Sequence, residues 1–323
     1  MSSYRECVGR GACALALASV CWPAFAGDTA GAWLLSVGGD LDQEDGYRVD
    51  LGATWLPTET TSVTLLAGAS DSSADLNKSY SRAASLGLDH SFGPVGLSVD
   101  VRWWGDPDLF ESTTFASSLY FRSAGWRLAL RGELRESDFE PFSFATQIPI
   151  RGTLVPVSGS AECGLDNSAY GASVSHTGKA WSVLLSGMQY EYSSTDCALT
   201  AVNLPPQAGQ LPPISREIFR RIANAVLTGG ARLLGSQLTR ENGFLDYSLW
   251  GSLAYRSGLH TYGLDYFHDR EEFEGFEADT LIASVTFPTS DRVDLELRLG
   301  ATDSDLEGTV GFIGLTLFAY LGE

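Results

Sequence analysis

The chain has 323 residues, of which 21 are Lys or Arg and 40 are Asp or Glu, and its formal net charge at pH 7 is −19. Only Lys78 and Lys179 are lysines, so the chain lacks the basic surface that contacts with a phosphate backbone require, and nucleic acid is excluded as a partner. After the first 30 residues no apolar stretch reaches the length of a transmembrane helix, which excludes a helical membrane protein.

The first 26 residues have the pattern of a secretory signal peptide. Arg5 and Arg10 precede an apolar run, and the run closes with the small residues Ala24 and Ala26 around Phe25. This run is shorter than the roughly 20 apolar residues that a membrane-spanning helix needs. We therefore expect residues 1–26 to be cleaved during export and residues 27–323 to form one domain.

Cleavage would leave Cys163 and Cys197 as the two cysteines of the exported chain. Two cysteines in an oxidising compartment most simply form one disulfide. They fall in residues 137–167 and 193–242, which we predict to be long loops, so the bond would join the loops and lower the cost of ordering them. Two cysteines without nearby histidines do not form a zinc set, and we predict no metal site and no cofactor.

From residue 32 onward the chain repeats segments of about ten residues in which apolar and polar side chains alternate. A period of two places the two kinds of side chain on opposite faces of a strand. A charged face opposite an aliphatic face needs water on one side and lipid on the other. The pattern predicts about 14 strands, within a range of about 12 to 16, and closed bacterial barrels have even numbers. The predicted strands are 32–40, 47–56, 61–70, 80–91, 95–103, 113–122, 126–135, 168–177, 181–192, 244–256, 260–269, 279–287, 292–299 and 308–321.

The connections between these strands alternate in length, as in outer-membrane barrels, which have short periplasmic turns and long outer loops. The short connections are 57–60, 92–94, 123–125, 178–179, 257–258 and 288–291. The long connections, most of them acidic, are 40–46, 71–79, 105–112, 137–167, 193–242, 270–278 and 302–308.

Aromatic residues cluster near both ends of the predicted strands, where Trp and Tyr favour the membrane interfaces. The inner girdle comprises Trp33, Trp55, Trp126, Trp181, Tyr255, Tyr262 and Phe287. The outer girdle comprises Tyr47, Tyr80, Trp103, Tyr190, Tyr247 and Tyr266.

With strands, turns and girdles together, residues 27–323 resemble a Gram-negative outer-membrane β-barrel protein of the porin-like kind. The resemblance rests on architecture and not on a family motif. It implies an all-β fold, a transmembrane antiparallel up-and-down barrel in the outer membrane, and passage of a small solute. It also implies contacts with membrane lipid, lipopolysaccharide and the barrel-assembly machinery. The last strand resembles the C-terminal assembly signal but ends Leu-Gly-Glu, so that Phe318 and Tyr320 would replace a terminal aromatic residue.

If the aliphatic face meets lipid, the charged face lines the lumen. The predicted pore-lining residues are Arg48, Asp50, Asp100, Arg102, Arg122, Arg127, Arg131, Glu133, Arg135, Asp246, Asp265, Arg292, Asp294, Glu296 and Arg298. In one interpretation, the arginines face carboxylates across a hydrated pore and set up a transverse field. In the other, the charges pair with one another and fill the interior.

Residues 215–227 have the spacing of an amphipathic helix inside the longest predicted loop. Ser215 is a suitable N-cap, and Arg216, Arg220 and Arg221 lie off the apolar stripe. The helix could constrict or gate the mouth, rest on the outer leaflet with its arginines against lipopolysaccharide phosphates, or only cap the outer rim.

Our leading hypothesis is a passive channel for small polar or amphiphilic solutes. The alternatives are a non-conducting structural or surface-interaction barrel, which could assist export of an envelope polymer, and thirdly an outer-membrane enzyme acting on lipid or peptide. His268, beside Asp269, is the one histidine predicted at an outer strand end, and the chain has no nucleophile or zinc-protease motif. We therefore predict that the protein is not an enzyme.

Overall fold

The computed structural model of the chain describes residues 30–43, 46–72, 79–106, 110–150, 153–193, 196–203, 244–272, 275–305 and 308–322. These residues form fifteen strands: β1 (Ala32–Asp42), β2 (Tyr47–Thr58), β3 (Thr61–Ser72), β4 (Ser79–Phe92), β5 (Val95–Asp106), β6 (Phe110–Ser123), β7 (Trp126–Ile150), β8 (Thr153–Thr177), β9 (Trp181–Tyr192), β10 (Asp196–Asn203), β11 (Leu245–Ser257), β12 (His260–Glu271), β13 (Glu277–Pro288), β14 (Val293–Ser304) and β15 (Gly308–Leu321). Within these ranges no helix is long and apolar enough to cross a bilayer.

Fourteen of the strands close into one antiparallel barrel. Each of β1 to β8 pairs with the next strand, β9 pairs with β11, and β11 to β15 continue the ring. The ring closes where β15 meets β1, with Trp33 opposite Leu321 and Asp42 opposite Phe312. β10 stands outside the ring and pairs with β8. The predicted all-β, fourteen-strand barrel is confirmed.

The outer face of the barrel is apolar because every second side chain points away from the interior. Leu130 and Leu299 are 67% and 65% exposed, and exposed large apolar residues recur on every strand of the ring. In water such a surface would be strongly unfavourable, whereas lipid covers it at little cost. Apart from β7 and β8, the ring strands have 11 to 14 residues, enough to cross a bilayer. The architecture is that of an outer-membrane barrel.

Short turns mark one end of the barrel. The start of β1 and the end of β15 lie at this same end. The turns cover 59–60, 93–94, 124–125, 178–180, 258–259 and 289–292, as the sequence predicts. Gly93 and Gly258 have φ of 69° and 63°, a left-handed conformation that glycine adopts without strain. We call this the turn end, and the opposite end the loop end. Six aromatic residues of the predicted inner girdle are exposed near the turn end: Trp33, Trp55, Trp126, Trp181, Tyr255 and Tyr262.

The predicted loop 137–167 is wrong for most of its length, because β7 and β8 continue through it as one long hairpin. The barrel pairing of β7 with β6 ends at Phe139, and the hairpin runs on to Ile150. Proline usually interrupts a strand, and Pro141 therefore favoured a loop in the sequence-based prediction. In the structure Pro141 lies at a register shift between Phe139 and Phe142, where a strand tolerates proline. The hairpin therefore extends the wall beyond the rim.

The predicted loop 193–242 is also partly a strand. β10 pairs antiparallel with the extended part of β8 and widens the projecting hairpin to three strands. Apolar residues near 198–202 supply the β-forming pattern, which the length of the predicted loop obscured. The predicted helix 215–227, with Arg216, Arg220 and Arg221, lies outside the described residues, as does the predicted signal peptide 1–26.

Candidate functional site: the charged interior of the barrel

Thirteen of the fifteen predicted pore-lining residues lie on the inward face of the ring. Nearly all of them are flanked along the strand by at least one exposed apolar residue, so alternation alone turns them toward the interior. The thirteen are Arg48, Asp50, Asp100, Arg102, Arg122, Arg127, Arg131, Glu133, Arg135, Asp265, Asp294, Glu296 and Arg298.

Arg292 and Asp246 lie elsewhere. Arg292 is exposed in the turn before β14, because the strand begins one residue later than the alternation suggests. Asp246 lies at a register shift in β11, and such a bulge turns a side chain away from the regular alternation. Its Oδ1 accepts a hydrogen bond from Nε2 of Gln189 at 2.9 Å, and its Oδ2 lies 3.9 Å from Nε of Arg270. These two corrections place both charges at the rims of the barrel.

Four charged side chains from β5 and β7 form a central quartet: Asp100, Arg102, Arg131 and Glu133. Oε1 of Glu133 accepts hydrogen bonds from Nη2 of Arg102 and Nε of Arg131, both at 2.7 Å. Asp100 bridges the same two arginines, with Oδ2 3.0 Å from Nε of Arg102 and Oδ1 3.3 Å from Nη2 of Arg131. The quartet contains two positive and two negative groups, so it fixes the arginines in place without adding net charge.

The quartet spans three strands because the residue between its carboxylates is small. Asp100 on β5 and Glu133 on β7 are both opposite Ala116 on β6, and Ala116 is fully buried. A larger side chain there would fill the space through which Arg102 reaches Glu133. The placement of Ala116 between Asp100 and Glu133 could not be predicted from the sequence, because it depends on the register of three strands.

A second cluster lies nearer the turn end, around Tyr120. Its hydroxyl donates a hydrogen bond of 2.6 Å to Oδ1 of Asp89, and the ring is 1% exposed. The guanidinium carbons of Arg122 and Arg127 lie 4.4 and 3.9 Å from the ring centroid, within the range of cation–π attraction. Gly96 is opposite Tyr120 and leaves room for the phenol. Asp89 and Tyr120 were not among the predicted pore-lining residues, although each falls on the inward face by alternation.

A third cluster joins the first and last parts of the ring. Nη2 of Arg298 on β14 donates to Oδ1 of Asp40 on β1 at 2.9 Å, and its Nε lies 3.8 Å from Oε1 of Glu296. The predicted strand 32–40 included Asp40, but the sequence also assigned this residue to an acidic outer loop. In the structure it is buried inside the barrel, at 8% exposure.

The interior charges are unevenly distributed around the ring. The inward faces of β5 to β7 carry five arginines against three carboxylates: Arg102, Arg122, Arg127, Arg131 and Arg135 against Asp100, Asp106 and Glu133. The inward faces of β12 to β14 carry five carboxylates against one arginine: Asp265, Asp269, Glu271, Asp294 and Glu296 against Arg298. β6 and β14 lie seven strands apart in either direction around the ring, so they form opposite walls. We call these the basic wall and the acidic wall.

Aromatic rings gather inside the loop end of the barrel. Trp104 meets Phe110 edge-on, with ring centroids 4.5 Å apart. Phe110 and Phe139 lie 5.8 Å apart, and Phe244 lies 6.2 and 5.7 Å from these two rings. All four side chains are less than 10% exposed. We call Trp104, Phe110, Phe139 and Phe244 the aromatic cluster. It was not predicted, because Phe110 was assigned to a loop and Phe139 to another.

Tyr190 also departs from the predicted outer girdle. It is opposite Ala169, a buried inward residue of β8, so its ring belongs to the interior. On β9 the outward positions near the loop end are Gln189 and Glu191 instead. The alternation from Trp181 along β9 predicts this placement, but the preference of tyrosine for interfaces favoured the opposite assignment.

His268 faces outward at the loop end, away from the lumen. Its Nδ1 lies 3.0 Å from Oδ1 of Asp279, and its Nε2 lies 3.0 Å from the hydroxyl of Tyr247. Tyr266 donates a second hydrogen bond to the same oxygen of Asp279 at 2.6 Å. The group thus forms a polar network on the outward face of the barrel at the loop end. Its hydrogen bonds stabilise the rim of β11 to β13.

The backbone register of β8 and β10 brings the two cysteines of the predicted disulfide opposite each other. Cys197 on β10 is directly opposite Cys163 on β8. The disulfide itself remains a prediction. Within the described ranges, no three His, Cys, Asp or Glu side chains form a group that could hold a metal ion.

Comparison with solved structures agrees with the barrel fold. The chain is similar to the CymD monoaromatic hydrocarbon channel, with 13% identity, a TM-score of 0.50, and coverage of 91% of this chain and 89% of that chain. OmpTdeltaL8, a loop-deletion mutant of an outer-membrane protein of Vibrio cholerae, shows 8% identity, a TM-score of 0.44, and coverage of 90% and 98%. Pseudomonas aeruginosa OccK3 shows 10% identity, a TM-score of 0.39, and coverage of 90% and 95%. No protein-family model and no curated protein matches the chain.

The likeness to CymD therefore adds independent support to the fold alone, since identity this low does not extend to function. Fold, apolar belt and charged interior together define the class: a Gram-negative outer-membrane β-barrel with a polar lumen.

Proposed function

We propose that the protein is a passive outer-membrane channel for small polar or amphiphilic solutes. The observation that carries the proposal is the pair of opposite charged walls inside a closed barrel, on β5 to β7 and β12 to β14. A structural barrel needs no such separation, whereas a pore uses opposed charges to orient dipolar solutes and select ions. CymD, which has the same fold, is described as a hydrocarbon channel. This agrees with a channel class without identifying the solute.

The central quartet gives the basic wall a fixed shape. Because Asp100 and Glu133 bridge Arg102 and Arg131, these arginines cannot swing freely across the lumen. A solute would diffuse past immobilised charges, and its passage would require neither a bound cofactor nor a chemical step. The proposed partners are the small solute, lipid and lipopolysaccharide along the apolar belt, and the assembly machinery that would recognise β15.

Single-channel recording in a planar bilayer tests the proposal. Purified protein whose heat-modifiable migration shows a folded barrel should give discrete conductance steps. The Arg135→Gln variant should shift the reversal potential in a KCl gradient toward cation preference, and Asp265→Asn should shift it the opposite way. Glu136→Gln, at an exposed outward position on β7, is the matched control and should change neither.

The second candidate is a non-conducting barrel, and one observation favours it. Tyr120 and Glu296 are each 1% exposed, so parts of the interior are densely filled. If folded wild-type protein and both lumen variants remain electrically silent, the channel proposal fails. The paired charges would then be interpreted as packing, and the projecting hairpin would become the candidate for surface interactions.

A further inference from the structure

The aromatic cluster contains a hydrogen-bond donor without an acceptor. Trp104 is 4% exposed, and its indole Nε1 has no hydrogen-bond partner within the described part of the chain. Buried N–H groups are satisfied in the great majority of native structures. The indole N–H of Trp104 therefore calls for an acceptor that the described residues do not supply.

The rings around Trp104 come from two different parts of the barrel. Trp104, Phe110 and Phe139 stand on the neighbouring strands β5, β6 and β7. Phe244 lies directly before β11, outside the strand, and β11 is three strands from β7 around the ring. Phe244 therefore reaches across the interior to contact the other rings. The cluster is a wall of three rings with a fourth ring laid against it.

Phe244 packs against the wall of three rings in the way that a separate aromatic molecule would. Its ring is stacked on Phe139 at an interplanar angle of 28°, and it lies 6.2 Å from Phe110. Planar aromatic rings gain from such offset stacking and edge contacts beyond the area they bury. A planar solute ring in the same place would keep both contacts. It would also carry its own polar substituent toward the wall that bears Trp104.

We propose that the aromatic cluster is a binding site for solutes that combine a planar aromatic ring with a hydrogen-bond acceptor, and that Phe244 occupies this site when no solute is bound. The solute ring replaces Phe244 against Phe110 and Phe139, and its acceptor oxygen takes the N–H of Trp104. The inference rests on the proposed channel function and names the class of solute that the outer mouth admits.

The test is binding of benzamide to the folded, detergent-solubilised protein, measured by isothermal titration calorimetry. Benzamide is neutral, so the basic wall contributes no net charge attraction to its affinity. Cyclohexanecarboxamide keeps the amide but lacks the aromatic face, and toluene keeps the ring but lacks the acceptor. Benzamide should bind at least about fivefold more tightly than either analogue, the effect of one hydrogen bond or one ring contact.

Two variants should change the affinity in opposite directions. Trp104→Phe keeps a ring but removes the N–H, and it should raise the Kd for benzamide about fivefold. Phe244→Ala vacates the site, and it should lower the Kd. The control is Trp103→Phe, which alters the adjacent outward-facing residue and should leave the Kd unchanged. A general loss of folding cannot produce a tighter binder, so the opposite signs separate binding from damage.

Equal binding of benzamide and cyclohexanecarboxamide would overturn the inference, as would a Trp104→Phe variant with wild-type affinity or a Phe244→Ala variant that binds no more tightly. These results would leave the channel proposal intact if the same preparation conducts ions. Conversely, tight and Trp104-dependent binding by a barrel that never conducts would support the site and overturn the channel.

Discussion

Asp40 on β1 accepts a hydrogen bond of 2.9 Å from Arg298 on β14, although β15 lies between these two strands. Gly314 on β15 is opposite both residues, and it is the absence of a side chain there that lets them meet. The pair spans the junction at which the last strand meets the first. It therefore bridges the closure of the barrel from inside, in addition to the backbone ladder.

Gly314→Ala should destabilise the barrel by about 2 kcal/mol, because a separated pair leaves two poorly solvated charges. A Cβ at this position would overlap Oδ1 of Asp40 and lie 3.1 Å from Nε of Arg298. The measurement is urea unfolding in lipid vesicles, followed by tryptophan fluorescence. Gly311→Ala is the control on the same strand, since its Cβ would meet Gln43 at an ordinary 3.4 Å. Equal stability of the two variants would contradict the assigned role of Gly314.

Glu133→Gln should lower the free energy of unfolding by about 2 to 3 kcal/mol, since Glu133 accepts hydrogen bonds from two arginines. It should also remove one negative charge from the basic wall and increase anion preference if the barrel conducts. Urea unfolding and the reversal potential in a KCl gradient measure the two effects. Glu136→Gln, exposed on the same strand, is the control. Unchanged stability of Glu133→Gln would show that water replaces the lost contacts.

The fold could be predicted from sequence because its cause is local. Alternation along 292–299 or 126–135 places aliphatic and charged side chains on opposite faces whatever the partner strand is. Short turns such as 93–94 then fix the order of neighbours. Two errors arose where alternation is interrupted, at the bulge beside Asp246 and at Pro141. The assignment of Tyr190 to the outer girdle was wrong because residue type was given more weight than alternation.

The clusters within the lumen could not be predicted, because they depend on register between strands that are distant in sequence. Asp40 meets Arg298 only because Gly314 falls opposite both residues. In the same way, the small side chain of Ala116 on β6 allows Arg102 on β5 to reach Glu133 on β7. A single sequence shows that these residues are small, but not which neighbours their size admits.

Tyr120→Phe should cost about 1 to 2 kcal/mol of stability, because it removes the hydrogen bond to Asp89 and keeps the ring beside Arg122 and Arg127. Thermal unfolding monitored by the heat-modifiable shift in electrophoresis measures the change. Tyr170→Phe, on the lipid-facing side of β8, is the matched control and should be neutral. If both variants unfold at the wild-type temperature, the hydroxyl of Tyr120 contributes nothing measurable.

Cys163 and Cys197 should form a disulfide in exported protein, because the antiparallel register of β8 and β10 sets their backbones directly opposite each other. Directly opposed residues in such a pair have Cα separations of about 4.5 to 5.5 Å, within the range of disulfides. Mass spectrometry of unreduced proteolytic peptides should recover both cysteines in one linked species. The double variant C163S/C197S should make the projecting extension of β7, β8 and β10 more sensitive to protease while the barrel stays resistant. Quantitative alkylation of both thiols in protein purified without reductant would contradict the prediction.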